Sequence, residues 1–332
     1  MARIAFVLPY FGQWPSWIEA FLLSCSSNPG VDWLIFTDCP VPEHHPGNVI
    51  FRRMELGELA RLGSERLGRK IEIRDPYKVC DWKPFYGHIF REYLVAYDFW
   101  GHCDMDVIWG DIESHFSDDM LERYDVLTPS SSGVIGHCTI YRNTPELTDF
   151  AVAMPFRNRE LDIPKCRSVD ENLFNAYIQR GRLGVAQYGI LKALSALVFG
   201  PPLRSILWTK PWYEKLHRKW HFRSESRVER WFYDMIGRPA RIFCEQLQKP
   251  GLDMANEIPT NWNWERGRIY DAQGKEWMYL HFHRWKDRPI HVAFQHADGI
   301  SAFAIDVNNE SVKMKCAPPR RDRPSGDDAA DE

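Results

Sequence analysis

The sequence has no long apolar run. None of its segments reaches the roughly 18 consecutive apolar residues that a membrane-spanning helix needs. The first apolar run, residues 4–8, ends after five residues at Pro9. Such a run is also too short for the apolar region of a secretory signal. We therefore expect neither a transmembrane helix nor a secretory signal.

The sequence also lacks a strong charge of one sign and paired cysteines. Its formal net charge of −3 gives no general attraction to nucleic acid, and no nucleic-acid-binding motif is present, so we expect no nucleic-acid partner. Eight cysteines are spread along the chain, and none forms a C-x-x-C pair. This pattern indicates free thiols in a reducing, cytoplasmic compartment.

Enough apolar residues are present for a substantial core. Hydrophobic residues make up 44% of the chain, which suffices for one large α/β domain or two smaller ones. Apolar runs at 4–8, 33–37 and 49–54, with a helical pattern at 15–25, predict the order β-α-β-loop-β. This order is typical of a nucleotide-binding sheet, so we predict an α/β fold with a single such sheet flanked by helices.

The composition changes beyond residue 200. We predict a nucleotide-binding core at 1–200, a helical basic and aromatic insertion at 201–270, a strand that returns to the active site within 271–300, and a disordered tail at 317–332. Within the insertion, residues 204–241 contain ten Lys or Arg, four Asp or Glu and four Trp. Such a basic face suits an anionic membrane surface, although a solvated helix pair with core tryptophans is the alternative.

The most informative segment is 97–112, with the sequence YDFWGHCDMDVIWGDI. Asp104 and Asp106 stand between two apolar runs, and carboxylates at i and i+2 of a strand point to the same side. At the carboxyl tip of a strand in an open α/β sheet, that side is the ligand crevice. Hard oxygen ligands favour Mg²⁺ or Mn²⁺ shared with phosphate oxygens. We predict a cation held by both aspartates against the diphosphate of a nucleotide-activated substrate; two exposed aspartates in a turn are the alternative.

Candidate nucleotide-binding residues follow the first two strands. The loop after the first strand is expected to contact the nucleoside, since a glycine allows close backbone approach and an aromatic ring can stack on a base. A carboxylate after the second strand can bind a base edge or a ribose hydroxyl. Simple turns with core aromatics are the alternative. The residues concerned are Pro9, Tyr10, Phe11, Gly12, Thr37 and Asp38.

Three further residues are candidates for contact with the substrate. Lys83 can neutralise a diphosphate, and Arg142 can bind phosphate or an acidic sugar. His102 precedes Asp104 by two residues and is expected to face the same side, or else to be a buried histidine that donates to a neighbouring carboxylate.

Residues 168–171, SVDE, match the S-x-x-E capping box that starts a helix. Glu171 then either closes its own helix start, or the helix start directs Asp170 or Glu171 into an acceptor site. There a carboxylate can take the proton of an attacking hydroxyl as general base, or orient sugar hydroxyls. We favour Asp170 for this role, because the cap already uses Glu171.

Seven segments in a fixed order make the chain resemble a family of bacterial proteins of undefined activity that is similar to A-type (GT-A) glycosyltransferases of surface polysaccharide and lipopolysaccharide synthesis. They span nearly the whole chain to about residue 290. They are 6–15 (FVLPYFGQWP), 32–38 (DWLIFTD), 76–87 (PYKVCDWKPFYG), 97–111, 136–143 (GHCTIYRN), 170–171 (DE) and 279–282 (YLHF).

The resemblance implies a GT-A-like fold, a nucleotide-sugar donor, a divalent metal and a glycan or lipid-linked glycan acceptor. It further implies that Asp81 holds hydroxyls of the donor sugar and that His281 is a third metal ligand, with His283 as the alternative. Two other functions stay open. One is a metal-dependent phosphohydrolase or nucleotidyltransferase, although loop 9–13 lacks the Lys or Arg usual in the latter. The other is a non-catalytic protein that binds glycans or membranes.

Overall fold

The computed structural model describes residues 2–130, 133–155, 157–179, 185–186, 242–244, 261–283, 286, 288–295, 299–308 and 310–317. They form a mixed α/β fold that contains three sheets. The strands are β1 Ile4–Tyr10, β2 Val31–Thr37, β3 Val49–Arg53, β4 Phe99–Cys103, β5 Val107–Trp109, β6 Val126–Thr128, β7 Cys138–Arg142, β8 Ile242–Cys244, β9 Asn261–Glu265, β10 Arg268–Asp271, β11 Glu276–Trp277, β12 Tyr279–His281, β13 Ile290–Val292, β14 Ala302–Val307 and β15 Val312–Cys316.

The helices are short. The α-helices are α1 Ile18–Ser26, α2 Leu56–Leu67, α3 Tyr86–Ile89, α4 Ile112–His115, α5 Asp118–Arg123, α6 Pro145–Thr148 and α7 Arg157–Asp162. Three 3₁₀ segments span Pro76–Phe85, Arg91–Tyr93 and Phe150–Ala153, and a π-helical turn spans Asp170–Phe174. Among the described residues, none of the helices combines the length and the apolar character needed to cross a bilayer.

The largest sheet has seven strands in the order β3-β2-β1-β4-β7-β6-β8. Strands β1 to β4 are parallel to one another, whereas β7 is antiparallel to both β4 and β6. Alternate residues of β1 enter different apolar clusters, with Val7 in one and Phe6 in the other. Both faces of β1 are therefore covered, as its uninterrupted apolar sequence predicts.

The chain order reverses at β1, which lies between β2 and β4. In the register of the sheet, Ile4 pairs with Val31 on one side and with Phe99 on the other. Open α/β sheets form a ligand crevice beyond the carboxyl ends of the strands at such a point. The ends of β1 and β4 therefore mark the place where a substrate is expected.

A second sheet of six strands, in the order β11-β10-β9-β14-β15-β13, corrects the prediction of a single sheet. Its buried face includes Trp262, Trp264 and Phe303, and the Trp264 indole N–H donates to the Trp109 carbonyl oxygen at 2.8 Å. The prediction of helix was wrong for 261–270, where apolar and polar residues alternate with the two-residue period of a strand.

The third sheet pairs β12 with β5, antiparallel, and so connects the two larger ones. The strand expected within 271–300 is therefore present. Of the predicted insertion at 201–270, residues 201–241 and 245–260, including the basic segment 204–241, lie outside the described residues, as do residues 318–332 of the predicted tail.

A glycine in β4 permits the close approach of β7, and this predicts a stability effect. A Cβ atom at Gly101 would lie 2.5 Å from the carbonyl oxygen of Thr139, which is backbone and cannot move aside. We expect Gly101→Ala to lower the free energy of unfolding by about 1–3 kcal/mol. Gly57→Ala, in α2 and with nothing within 4 Å, is the matched control and should raise it by up to about 1 kcal/mol. Urea denaturation measures both, and equal stability of the two variants would contradict the argument.

Candidate metal and nucleotide site

The two aspartates singled out by the sequence lie at the crevice, but in a bend between β4 and β5 rather than on a strand. The expectation of parallel side chains on one strand was therefore wrong. β12 pairs with β5 so that His281 lies opposite Val107, and the Phe282 amide donates to the Asp106 carbonyl oxygen at 3.1 Å. This pairing brings a distant part of the chain against Asp106.

Asp106 is the centre of a compact charged cluster. Its side chain is 6% exposed, and its carboxylate lies 3.6 Å from His281 Nε2, 3.7 Å from His283 Nδ1 and 3.0 Å from Lys286 Nζ. Burial acts to raise the pKa of this carboxyl, but the two nearby histidines and the charge of Lys286 hold the pKa well below its usual range. Asp106 is therefore a carboxylate.

The cluster has the composition of a metal site. One potential ligand atom from each of Asp106, His281 and His283 lies within 4.8 Å of the other two. The sequence left open which histidine is the ligand, and the structure places both against the same carboxylate. His137 supports them, since its ring stacks on His281 at 3.9 Å and its Nε2 lies 2.9 Å from the Tyr279 hydroxyl.

Asp104 has a different partner. Its Oδ1 accepts a hydrogen bond from the buried Lys83 ammonium at 2.5 Å, and its side chain is 30% exposed. Although burial acts to lower it, Asp104 raises the pKa of Lys83 well above its usual range, and Asp170 adds to this effect. Burial likewise acts to raise the pKa of Asp104, but Lys83 holds it below the usual value. The aspartate pair is thus divided between a lysine and a histidine cluster.

Asp170 and Glu171 lie around Gly136, close to the Lys83 ammonium that binds Asp104. A Cβ atom at Gly136 would lie 2.9 Å from Asp170 Oδ2, 3.1 Å from Lys83 Nζ and 3.4 Å from Glu171 Oε1. The Glu171 carboxylate accepts from the Gly136 amide at 3.0 Å, so it holds this loop in place. Asp170 is buried, and burial followed by the charge of Glu171 raises the pKa of its carboxyl well above the usual range, against the effect of Lys83.

The helix start at Asp170 is irregular in two ways. Ser168 has a φ of 50°, a left-handed conformation that costs a residue with a Cβ about 1–3 kcal/mol, and a π-helical turn begins at Asp170. Both features concentrate at functional sites. No side chain caps this helix start locally, so the predicted S-x-x-E capping box is wrong, since Glu171 binds Gly136 instead.

Asp81 does not face the crevice, which corrects its expected role. It is fully buried, and its carboxylate accepts from Lys78 Nζ at 2.6 Å and from the backbone amides of Arg167 and Val169 at 2.9 and 3.1 Å. These bonds occupy both oxygens, so none remains for the hydroxyls of a donor sugar.

His102 and Arg142 are also bonded within the protein. His102 is fully buried, donates from Nδ1 to the Gly136 carbonyl oxygen at 3.0 Å, and has Nε2 3.2 Å from the Tyr141 hydroxyl. Arg142 binds Asp125 and the Tyr124 carbonyl oxygen. Because β7 is antiparallel to β4, Arg142 pairs with Phe99, at the end of β4 opposite Asp104. The expected contacts of both residues with the substrate are therefore wrong.

The tips of β1 and β2 form the other wall. Gly12 is exposed with a φ of 107°, and its amide donates to Asp38 Oδ1 at 2.7 Å. Thr37 is buried and its hydroxyl accepts from the Cys39 amide, so it shapes the turn rather than facing a ligand. Tyr10 is partly exposed, beside Pro9, and stacks on Trp14 at 5.3 Å.

Phe11 is buried in the core, which leaves Tyr10 as the ring of this loop that a base can reach. Two residues of the site were missed by sequence reasoning. Lys286 follows the HFH segment closely, and His137 lies in the GHC segment beside Gly136. Both residues are visible in the sequence, but only the pairing of β12 with β5 shows that they belong to the site.

A family model described as a family of unknown function (DUF6625) matches residues 6–174 of the chain. The matched range contains β1 to β7 with Asp104, Asp106 and Asp170, whereas His281 and His283 lie beyond it. No curated protein matches the chain.

The buried His102 predicts a component of acid sensitivity. Burial, followed by the charge of Lys83, lowers its pKa from 6.5 to about 3. The neutral ring therefore contributes stability that is complete above pH 6.5 and is lost as the pH falls towards 3. In His102→Asn, the amide keeps a donor for Gly136 and does not titrate.

From about pH 7.5 to pH 5, we expect the free energy of unfolding of the wild type to fall by about 2 kcal/mol more than that of the variant. Urea denaturation at each pH measures the difference. Parallel pH profiles of wild type and variant would show that His102 does not change its protonation on unfolding.

Proposed function

The chain belongs to the DUF6625 family, and we propose that this protein is a metal-dependent glycosyltransferase of GT-A-like fold. It moves a sugar from a UDP- or GDP-sugar to a glycan or lipid-linked glycan acceptor in bacterial surface polysaccharide synthesis. The observation that carries the proposal is the cluster of Asp106, His281 and His283 beside the carboxyl ends of β1 and β4. A cation at this place faces the crevice in which α/β sheets bind nucleotides.

The donor set fits a divalent transition metal. One carboxylate and two imidazoles favour Mn²⁺ over Mg²⁺, since Mg²⁺ prefers oxygen ligands and imidazole suits the transition metals. Asp106, His281 and His283 would hold the ion, and Asp104 would share it only after release of its ion pair with Lys83. When bound, such an ion stabilises the negative charge that develops on a leaving diphosphate.

The lysines of the site suit the same leaving group. Lys83 and Lys286 each lie on one aspartate, and both are ammonium ions that can donate to phosphate oxygens. Tyr10 and the exposed Gly12 border the crevice on the β1 side, where a base is expected, and Asp38 holds Gly12 in place. The chain thus offers an aromatic ring, two cations and a cluster of potential metal ligands near the ends of β1 and β4.

Asp170 suits an acceptor hydroxyl. General bases work best when their pKa lies near the working pH, and burial raises the pKa of Asp170 towards that range. Its carboxylate lies near Lys83, so a proton that it accepts remains close to the donor diphosphate. Glu171 keeps the Gly136 loop in position and is not the proton acceptor in this proposal.

A metal-dependent phosphohydrolase is the second candidate. Two histidines and one carboxylate that leave a coordination position open are the ligands of many metal hydrolases, in which the metal activates water. Product analysis distinguishes the two: a transferase forms a new glycoside with an acceptor glycan, whereas a hydrolase releases free sugar or phosphate at the same rate with or without it.

One prediction of this function concerns metal-dependent nucleotide binding. UDP or GDP should bind with Mn²⁺ present and much more weakly with EDTA, as measured by isothermal titration calorimetry. Asp106→Asn should weaken the Mn²⁺-dependent binding by about 100-fold or more, because it removes the buried carboxylate of the cluster. Asp306→Asn, at a partly exposed ion pair on β14, is the control and should bind as the wild type does.

The variant Asp104→Asn distinguishes two possible sets of metal ligands, namely Asp106 with the two histidines or the pair Asp104 and Asp106. If the ligands are Asp106, His281 and His283, this variant should retain Mn²⁺ binding in the absence of nucleotide. A loss as large as that of Asp106→Asn would instead support the aspartate pair. Nucleotide binding that is equal in Mn²⁺ and EDTA would overturn the proposed function.

Another prediction is that replacing Lys286 has opposite effects on the binding of metal and the binding of nucleotide. Lys286→Met removes a cation 3.0 Å from Asp106, so Mn²⁺ alone should bind more tightly. UDP or GDP should bind about 10-fold more weakly or worse, because a charged hydrogen bond to phosphate is lost. Uridine or guanosine, which lack the diphosphate, should bind equally well to variant and wild type.

Lys313→Met, at an exposed position of β15, is the matched control. A Lys286→Met variant that binds both Mn²⁺ and diphosphate more weakly would indicate a general distortion of the cluster. In that case Lys286 does not contact the diphosphate.

A further inference from the structure

Lys78 and Asp81 form an ion pair that is cut off from solvent. Their side chains are 3% and 0% exposed, and Lys78 Nζ lies 2.6 Å from Asp81 Oδ2. The pair belongs to the 3₁₀ segment Pro76–Phe85, which also carries Lys83. Separating the two side chains would leave each buried charge without compensation. The pair therefore stays together, and the two side chains are fixed relative to each other.

Both members of the pair hold the segment that leads to Asp170. Asp81 accepts from the amides of Arg167 and Val169, and from the Cys166 thiol at 3.4 Å. Lys78 Nζ donates to the carbonyl oxygens of Glu160 at 2.8 Å and of Lys165 at 3.5 Å. Lys78 therefore binds backbone carbonyl groups at residues 160 and 165, and Asp81 binds backbone amides at residues 167 and 169. We call these four contacts the grip of the ion pair.

This grip surrounds the strained residue of the site. Ser168, with its φ of 50°, stands between the two amides that Asp81 holds. A serine at a helix start would ordinarily cap it with its own side chain, but here a carboxylate from another segment supplies the hydrogen bonds. Asp81 thus keeps Ser168 in a conformation that its own sequence does not favour.

The residue that follows this strained turn by two positions is Asp170. The Asp170 carboxyl and the Lys83 ammonium both lie beside Gly136. The π-helical turn begins at Asp170 itself. One segment therefore places both Lys83, through its backbone, and Asp170, through Asp81. A shift of the turn at 167–169 would move Asp170 relative to Lys83 without touching the metal cluster.

We propose that Asp81, held by Lys78, is a positioning residue that fixes the Asp170 carboxyl beside Lys83 and Gly136 for the acceptor reaction. The proposal rests on the proposed function in giving Asp170 a chemical task. It replaces the contact with a donor sugar that the sequence predicted for Asp81, and it assigns a task to two buried charges that make no contact with the crevice.

Asp81→Asn is the principal test, because asparagine preserves size but cannot accept at both oxygens. We expect the turnover number to fall by about 100-fold. The KM for the nucleotide-sugar and the affinity for Mn²⁺ should not change, since the cluster of Asp106, His281 and His283 is left intact. A fall in Mn²⁺ affinity equal to the fall in turnover would overturn the proposal.

The pH profile supplies a readout that a purely structural role would not move. The charged and titratable groups that face Asp170 are Lys83, Asp104, Glu171, Tyr86 and Tyr141. If the grip is loosened, water reaches Asp170, and its pKa falls. The acid limb of the turnover profile should then move to lower pH in Asp81→Asn. An unshifted acid limb together with lowered turnover would show that Asp81 only stabilises the fold.

Asp271→Asn is the matched control. Asp271 is also a buried aspartate that accepts from two backbone amides, those of Gln273 and Lys275, but it lies in the second sheet. It should lose stability as Asp81→Asn does and keep the turnover number and pH profile of the wild type. Asp81→Asn combined with Ser168→Gly should recover part of the turnover, because glycine adopts positive φ without strain.

Hydrogen–deuterium exchange tests the grip without turnover. The amides of residues 167 and 169 should exchange at least 10-fold faster in Asp81→Asn than in Asp271→Asn, and equal rates would overturn the proposal. A wild-type protein that transfers no sugar overturns the proposed function, and the exchange rates then still decide whether Asp81 holds the turn. Faster exchange with wild-type turnover in Asp81→Asn would show that Asp170 does not need this support.

Discussion

The compensation of buried carboxylates is the constraint on which this site depends. Asp81, Asp104 and Asp106 each have a lysine of their own: Lys78, Lys83 and Lys286. An ionised carboxylate that is buried without a partner would cost several kcal/mol, and each of these aspartates has a cation beside it that offsets this cost. The three pairs differ in their access to solvent, and this difference separates structural from functional roles.

Exposure increases from the first pair to the others. The Asp81–Lys78 pair is closed, and its carboxylate is also bound to backbone amides, so no ligand can replace the lysine. Asp104 is 30% exposed and Lys286 is 29% exposed, so both of these pairs open onto the crevice. Under the proposed function, a dication takes the place of a lysine on a carboxylate there, and a diphosphate receives the displaced ammonium. The same charge pairing thus stabilises the fold in one place and is exchangeable in the other.

The sequence located the strands and the DMD segment better than it located the partners of the polar side chains. Apolar runs located β1 to β3, and the DMD segment was placed correctly at the end of β4, because both signals are local. The partners of the polar side chains were not predictable in this way. Arg142 was predicted to bind a ligand, but β7 is antiparallel to β4, so Arg142 lies at the end of β4 opposite Asp104. The direction of a strand cannot be deduced from five residues of sequence. Asp81 likewise acquires its partners from residues 166–169, far along the chain.

The second sheet was missed for a different reason. The NWNWE segment has the period of a strand, but its tryptophans and the basic residues before it favoured a helical interpretation of the whole region. β12 follows β11 of that sheet, pairs with β5 and brings His281 and His283 to Asp106, so the returning strand was predicted although the sheet before it was not. The cluster of Asp106, His281 and His283 is therefore a product of tertiary pairing, in which two histidines separated by Phe282 acquire a carboxylate from a distant bend.

The 3₁₀ segment Pro76–Phe85 connects the two sides of the crevice. Side chains at i and i+3 of a 3₁₀ helix lie on one face, which brings Lys78 onto Asp81 and directs both towards the turn before Asp170. Lys83, two residues later, points elsewhere and reaches Asp104. Because one segment carries both contacts, a movement of this segment would shift Lys83 beside Asp104 and the turn before Asp170 together. Under the proposed function, an acceptor hydroxyl must reach a donor bound by its diphosphate, and a fixed separation of the two suits this task, since small errors of distance are costly in a bimolecular transfer.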